Sequence, residues 1–196
     1  GDSYFLLNED CYSDCSTEGA YFNDDTTTPP ACTPCGDDCS ECDDASTCTS
    51  CDAGTYLDAG VCQPCAAGYY QDEAGQTSCK PCAAGSFQSQ TGQTESLACP
   101  VGTFGAAEGQ SACTDCEPGT YGDEEGLTEC LLCAVGNYQD EAGESACKAC
   151  QTGYYADETG LSACNPCAVG YFAAYTEMDA CEPCAAGSYQ SETGQS

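Results

Sequence analysis

The pattern of apolar and polar positions repeats every 17 residues from residue 62 to residue 196. Each repeat has a glycine in its seventh position and an aromatic residue in its ninth, and a polar stretch follows. A fixed short period predicts identical structural units stacked along the chain, each contacting its neighbours. The aromatic residues are Tyr70, Phe87, Phe104, Tyr121, Tyr138, Tyr155, Phe172 and Tyr189.

One repeat is enough to predict the structure of the unit. Residues 69–71 favour a strand because they are rich in aromatic side chains. Residues 72–75, Asp-Glu-Ala-Gly, predict a turn that ends in a residue able to adopt positive φ. Residues 76–78 would then return antiparallel to the first strand. The unit is therefore a small β-hairpin, which is marginally stable alone and needs a further constraint.

Cysteines in the first and fourth positions of the repeat supply that constraint, and two pairing schemes fit their spacing. In one, neighbouring Cys-x-x-Cys groups cross-link, which requires an alternation over 34 residues that the sequence lacks. In the other, each hairpin is closed by its own disulfide across about 13 residues, for about 3 kcal/mol of stabilisation. We prefer the second, which pairs Cys65–Cys79, Cys99–Cys113, Cys116–Cys130, Cys133–Cys147, Cys150–Cys164 and Cys167–Cys181.

Three cysteines have no obvious partner under this scheme. Ser96 stands where the partner of Cys82 would be, and the position that would pair with Cys184 lies beyond Ser196. Cys11 precedes the repeats. The total of 23 cysteines is odd, which predicts free thiols or intermolecular disulfides among these three.

The chain has three predicted zones. Residues 1–31 hold a short strand at 4–7, which either docks on a neighbouring molecule or folds back, and a Thr/Pro loop with candidate O-glycan sites at Thr26, Thr27 and Thr28. Residues 32–61 have compressed cysteine spacing, and residues 62–196 form the regular array. We expect a linear array of disulfide-closed hairpins, small, disulfide-rich and mainly β, that builds an elongated rod.

Composition restricts the partners and the chemistry. Thirty-three acidic residues face two lysines, for a formal charge of −31, which excludes nucleic acid and anionic membranes as partners. The density of cysteine is typical of a disulfide scaffold from an oxidising compartment, so the protein is predicted to be secreted or on the cell surface. No apolar run is long enough for membrane insertion. Without histidine or arginine there is no triad and no obvious base, and we expect no enzyme.

Residues 35–62 carry the spacing Cys35-x3-Cys39-x2-Cys42-x5-Cys48-x2-Cys51 followed by Cys62, which resembles the furin-like repeat of growth-factor receptors. The later units resemble the ephrin-receptor-like cysteine-rich repeat. The resemblance implies hairpin modules with little other core, and it implies the pairs Cys35–Cys42, Cys39–Cys48, Cys51–Cys62 and, in a stretched hairpin, Cys15–Cys32. Ser96 departs from the pattern. Glu177 does too, since it stands at the turn glycine and must accept positive φ or change the turn.

Three sharper interpretations compete with a purely structural one. Tandem Cys-x-x-Cys groups also match zinc-ribbon spacing, but the regularity and acidity favour disulfides, and we expect no cofactor. The aromatic residues suit carbohydrate stacking, although packing over the disulfides is preferred. The acidic turns are expected to be solvated, with no more than weak calcium binding. These turns are residues 72–73, 123–125, 140–141 and 157–158.

The function predicted from these features is structural. The leading hypothesis is a component of an extracellular filament, appendage or coat, which self-associates and uses the repeat array as its shaft. The alternative is a stalk or ligand-binding ectodomain of a cell-surface receptor or adhesion protein.

Overall fold

The computed structural model describes residues 21–24, 31–44, 46–189 and 191–195. These residues form strands and turns only, in ten antiparallel two-stranded hairpins. The prediction of a mainly β, disulfide-rich series of hairpins is thereby confirmed. The predicted strand at 4–7, Cys11, the Cys15–Cys32 pair and the threonines at 26–28 lie outside what the structure describes. Within the described residues no helix is long and apolar enough to cross a membrane.

The first three hairpins are the longest. Their strands are β1 (Tyr21–Asp24), β2 (Ala31–Pro34), β3 (Cys39–Asp44), β4 (Thr47–Cys51), β5 (Thr55–Asp58) and β6 (Val61–Pro64). The register of β3 against β4 shifts three times, at irregularities between Cys39 and Asp44. Compressed cysteine spacing thus coincides with the one irregular ladder among the described hairpins.

Seven short hairpins follow, each with two residues per strand. Their strands are β7 (Tyr69–Tyr70), β8 (Lys80–Pro81), β9 (Ser86–Phe87), β10 (Leu97–Ala98), β11 (Thr103–Phe104), β12 (Thr114–Asp115), β13 (Thr120–Tyr121), β14 (Leu131–Leu132), β15 (Asn137–Tyr138), β16 (Lys148–Ala149), β17 (Tyr154–Tyr155), β18 (Asn165–Pro166), β19 (Tyr171–Phe172) and β20 (Glu182–Pro183).

The returning strand was predicted too early. Tyr69 and Tyr70 pair with Pro81 and Lys80, and not with residues 76–78. The loop backbone is used in bonds to earlier hairpins instead: the amide of Gly75 donates to the carbonyl oxygen of Cys51 at 2.8 Å, and the amide of Leu57 donates to that of Gln76 at 2.9 Å. The side chain of Gln71, whose Nε2 donates to the carbonyl oxygen of Ser78 at 2.7 Å, fills the loop without setting the register, because repeats with glycine or alanine in its place have the same pairing. The turn itself was predicted correctly, and Gly75 has a φ of 73°.

The chain divides into two compact units. One comprises the described residues up to Pro81 together with Gln88–Ser96, and the other comprises Cys82–Phe87 with the described residues from Leu97 onward. All three points at which the chain passes from one unit to the other fall within the array predicted at 62–196.

Inside the second unit, backbone hydrogen bonds join successive hairpins. The amide of Gly102 donates to the carbonyl oxygen of Gly122 at 2.8 Å, and the amide of Gly119 donates to that of Gln139 at 2.7 Å. The amide of the turn residue Gly143 donates to Cys116 at 2.9 Å. Stacking therefore satisfies polar backbone groups that two-residue strands leave unpaired.

The seventh-position glycine is needed for a close contact between hairpins, which the sequence pattern alone does not reveal. Gly102 has a φ of 80°, and a methyl group at its Cα would overlap the carbonyl oxygen of Gly143, two hairpins further on. Gly119 meets Gly160 in the same way. Hairpins thus contact the next-but-one unit as well as their neighbours, which the prediction of neighbour-only contacts missed.

The core of the repeat array consists largely of sulfur. The cysteine in the fourth position is fully buried in seven of the eight repeats, whereas large aliphatic side chains are absent from the buried residues that the structure describes. Disulfides and close backbone contacts replace an aliphatic core, as expected for a chain with few strong core formers. These buried cysteines are Cys65, Cys82, Cys99, Cys116, Cys133, Cys150 and Cys167.

Candidate functional surface

Nine disulfides join the described cysteines, with Cα–Cα distances between 5.6 and 5.9 Å. In the array they are the hairpin-closing pairs: Cys65–Cys79, Cys99–Cys113, Cys116–Cys130, Cys133–Cys147, Cys150–Cys164 and Cys167–Cys181. Before the array they are the pairs that the family resemblance implied: Cys35–Cys42, Cys39–Cys48 and Cys51–Cys62.

Among the described cysteines, Cys82 and Cys184 are free. Cys82 is fully buried, and burial raises the pKa of its thiol. A buried thiol with a raised pKa supplies little thiolate and cannot be reached by another molecule. This environment argues against the predicted intermolecular bond at Cys82, whereas Cys184 is partly exposed.

The sulfur atoms before the array come close together. Those of Cys35, Cys39 and Cys42 lie within 4.8 Å of one another, as do those of Cys39, Cys48 and Cys62. The Sγ atoms of Cys48 and Cys62, which belong to different disulfides, are 3.2 Å apart. Metal binding requires thiolates, and every sulfur in these two groups is already part of a disulfide. The geometry is that of stacked disulfides.

Buried glutamines form a set that sequence reasoning missed. Gln71, Gln88 and Gln139 follow the aromatic residue of their repeats and are at most 4% exposed. Gln139 Nε2 donates to the carbonyl oxygen of Ala146 at 2.7 Å, and its Oε1 accepts from the amide of Glu141 at 3.1 Å. The signal was available, because this position holds only glutamine, glycine or alanine in all eight repeats.

Repeats without the glutamine fill the same space from another position. A Cβ atom at Gly122 would lie 3.2 Å from Cδ1 of Leu127. A Cβ atom at Gly105 would lie 2.8 Å from Oε1 of Gln110, an oxygen that is buried without a hydrogen-bond partner. In these two repeats the space beside the glycine is therefore occupied by a side chain five positions further along the chain.

The acidic turns are exposed, and lysines neutralise two of them. Lys80 pairs with Asp72, and Lys148 Nζ lies 2.6 Å from Asp140 and 2.9 Å from Glu141. Hydrogen bonds from the lysines lower the pKa of Asp72 and Asp140, and the same bonds raise the pKa of Lys80 and Lys148. The calcium interpretation of these turns stays a prediction.

The turn at residues 123–125 lacks such a partner at the equivalent position. That position is occupied by Leu131, which is 39% exposed and precedes Leu132, at 60%. The surface side chains thus differ from hairpin to hairpin, although the backbone structure of the hairpins is the same.

Tyrosines line a surface cavity of about 270 Å³ in the second unit, together with Gln151, Ala163 and Cys164. The two rings are those of Tyr138 and Tyr154. The ninth-position aromatic residues are partly buried from Tyr70 to Phe172, and Tyr189 in the last repeat is 84% exposed. Their packing over disulfides and the carbohydrate alternative both stay predictions.

A comparison with protein families finds a match in two segments of the chain. The model of the family described as tyrosine-protein kinase ephrin type A/B receptor-like matches residues 54–96 and 119–160. Both segments contain hairpins in series, so the match agrees with the ephrin-receptor-like resemblance of the array. The furin-like resemblance of residues 35–62 is not matched separately and stays a prediction. No individual curated protein matches the chain significantly.

Proposed function

We propose that this chain belongs to the extracellular region of a cell-surface receptor or adhesion protein, where the repeats serve as a stalk or a ligand-binding module. The observation that carries the proposal is the similarity of residues 54–96 and 119–160 to the ephrin type A/B receptor-like family. Extracellular placement is further supported by nine disulfides, which persist in oxidising compartments.

The way the array is stabilised suits a display or spacing role. Buried cysteines, loop-filling side chains and backbone contacts hold the hairpins, so the turn side chains are free to vary. Residues 72–74 and 123–125 are all exposed. A net charge of −31 opposes association between copies of the chain. This repulsion favours a stalk or binding module over a polymer.

An extracellular filament is the second candidate. It is favoured by the stacking inside the second unit, where each hairpin bonds to the next through backbone groups such as Gly102 and Gly122. Stacking of this kind propagates without specific side chains, which suits a shaft built from many copies.

Labelling of intact cells tests the proposal. Antibodies against the array, applied with a membrane-impermeant biotin reagent, are expected to find it on the cell surface and in the membrane fraction. The secreted array is expected to be monomeric by light scattering at physiological salt. Fibres in electron micrographs of the native material would support the filament instead, and an intracellular protein with reduced thiols would contradict both candidates.

A further inference from the structure

We propose that Tyr175 is a site of tyrosine O-sulfation. The twelfth position of the repeat, where Tyr175 stands, is exposed in every repeat. Five of the other seven repeats have glutamate there, namely at Glu73, Glu124, Glu141, Glu158 and Glu192. A sulfate ester would give the twelfth position of this repeat the negative charge that most of its counterparts carry there. The inference rests on the proposed function, because sulfation of proteins takes place in the secretory pathway.

The exposure of Tyr175 is a property of its place in the fold. Its side chain is 74% exposed, and it lies in a bend between strands β19 and β20. Tyr189 is more exposed, at 84%, but its ninth position is partly buried in all the preceding repeats. Among the tyrosines that the structure describes, Tyr175 alone occupies a position that is exposed in every repeat.

The surroundings of Tyr175 are acidic, as expected for the acceptor of a sulfotransferase. Glu177 and Asp179 follow within four residues and are exposed, and Ala173 and Ala174 on the other side are small. The two lysines of the chain lie in other repeats. Enzymes that bind an anionic sulfate donor and an acidic peptide do so through a basic cleft, which attracts an acidic acceptor segment electrostatically.

From the sequence alone, another tyrosine would be a better candidate for sulfation, but the structure argues against it. Tyr121 is followed closely by three consecutive acids at 123–125. Its side chain is partly buried, however, and its backbone is paired with Leu131 in the β13–β14 hairpin. Tyr175 lies outside the strands with an exposed ring, whereas Tyr121 is held in a paired strand. The backbone beside Tyr175 is fixed, because the amide of Glu177 donates to the carbonyl oxygen of Cys150 at 3.0 Å. The enzyme would therefore take up the ring from the folded surface.

The chemistry is a sulfuryl transfer from a mixed phosphoric–sulfuric anhydride of a nucleotide. The phenolic oxygen of Tyr175 attacks the sulfur atom, and a new oxygen–sulfur bond forms. The bond between sulfur and the bridging oxygen of the donor breaks, and the nucleotide phosphate leaves with that oxygen and its electron pair. The phenolic proton passes to a base on the enzyme. No oxidation state changes, and the neutral phenol becomes an anionic aryl sulfate.

The test uses the purified, disulfide-intact chain with a tyrosylprotein sulfotransferase and its sulfate donor, followed by peptide mapping by mass spectrometry. One sulfate is expected, on the peptide that contains Tyr175. Tyr175→Phe should abolish incorporation, and the matched control Tyr189→Phe should retain it. The charge-neutral pair Glu177→Gln and Asp179→Asn should lower the rate severalfold. In the reduced, unfolded chain, Tyr121 is expected to become a second acceptor, because the hairpin no longer protects it.

Two outcomes would overturn the assignment: sulfate on Tyr189 or Tyr121 of the folded chain, or no sulfate on Tyr175. A parallel experiment in secreting cells separates this inference from the proposed function. Sulfation in vitro of a chain that never reaches the cell surface would contradict the proposed function and leave the acceptor site standing. Delivery to the surface without sulfate on Tyr175 in either experiment would overturn the acceptor site alone.

Discussion

Two neighbouring hairpins of the second unit have the same disulfide-closed backbone but differ in the side chains of their interior and surface. The β13–β14 hairpin is closed by Cys116–Cys130 and the β15–β16 hairpin by Cys133–Cys147, both with a sequence separation of 14. Their interiors differ, because the first has Gly122 with Leu127 beside it and the second has the hydrogen-bonded Gln139. At equivalent surface positions, the first exposes Leu131 and the second uses Lys148 in ion pairs.

The comparison shows which features the repeat requires and which can vary. Both hairpins have a disulfide and a positive-φ glycine at a close backbone contact. The loop interior is apolar in one hairpin and polar in the other, and the strand register is the same in both. Loop closure constrains the unfolded chain regardless of what fills the loop. The following predictions run from the frame to the surface, in order of decreasing effect.

Removal of the disulfide is expected to have the largest effect. The double variants Cys116→Ala/Cys130→Ala and Cys133→Ala/Cys147→Ala should each lose about 3 kcal/mol of hairpin stability, because the two closed loops have the same length. Hydrogen exchange of the amides in each hairpin measures the loss. Unequal losses in the two hairpins would show that the interior, and not loop closure, determines their stability.

Substitution of the shared glycine should come next. Gly119→Ala should cost about 2 kcal/mol or more, because Gly119 has a φ of 89° and its new methyl group would overlap the carbonyl oxygen of Gly160. Gly126→Ala in the same hairpin is the matched control, with positive φ but no atom closer than 3.8 Å. Denaturant titration should place the control at about 1 kcal/mol. Equal costs would mean that the close contact contributes nothing.

Exchange of the interiors should have an intermediate effect. Gln139→Gly removes hydrogen bonds to Ala146 and Glu141 and should cost about 1–3 kcal/mol, because two hydrogen bonds made by a buried side chain are lost. Adding Glu144→Leu reproduces the pairing of Gly122 with Leu127 and should recover part of the loss. The two variants are compared by thermal unfolding. A double variant less stable than Gln139→Gly alone would refute the interchangeability of the two fillings.

Exchange of the surface residues should have the smallest effect, and it should depend on pH. The pKa of Asp140 is lowered below its usual 3.8, so its contribution is present above that value and is lost as the pH falls through the folded-state pKa. The pKa of Lys148 is raised above 10.5, so its contribution is present below 10.5 and is lost as the pH rises through the folded-state pKa. Lys148→Leu should therefore lower the Tm slightly at pH 7 and leave it unchanged in strong acid.

The reciprocal variant Leu131→Lys should gain a small increase in Tm at pH 7, through pairing with the acids at 123–125. Both effects should shrink in high salt, because exposed ion pairs are screened. A pH-independent or salt-independent difference would assign the effect of these residues to packing.

The sequence by itself determined the period, the hairpin unit and the turn glycines. The disulfide partners chosen from spacing are also those in the structure. These features are local: two cysteines with a sequence separation of 14 and an Asp-Glu-Ala-Gly turn contain their own geometric constraints. The sequence allows Glu177 either a positive φ or a changed turn, and the structure gives it a φ of 64°.

Only the tertiary structure decided where the returning strand begins, why the seventh-position glycine is needed and what fills each loop. The strand begins at Lys80 because the loop residues Gly75 and Gln76 bond to earlier hairpins, and Gly102 is required because Gly143 approaches it from two hairpins away. It also showed that Cys82 is buried and that Tyr175 is exposed by its place in the repeat. These facts depend on contacts between residues that are distant in the chain. A periodic sequence predicts that such units repeat, but it does not predict which of their atoms lie close together.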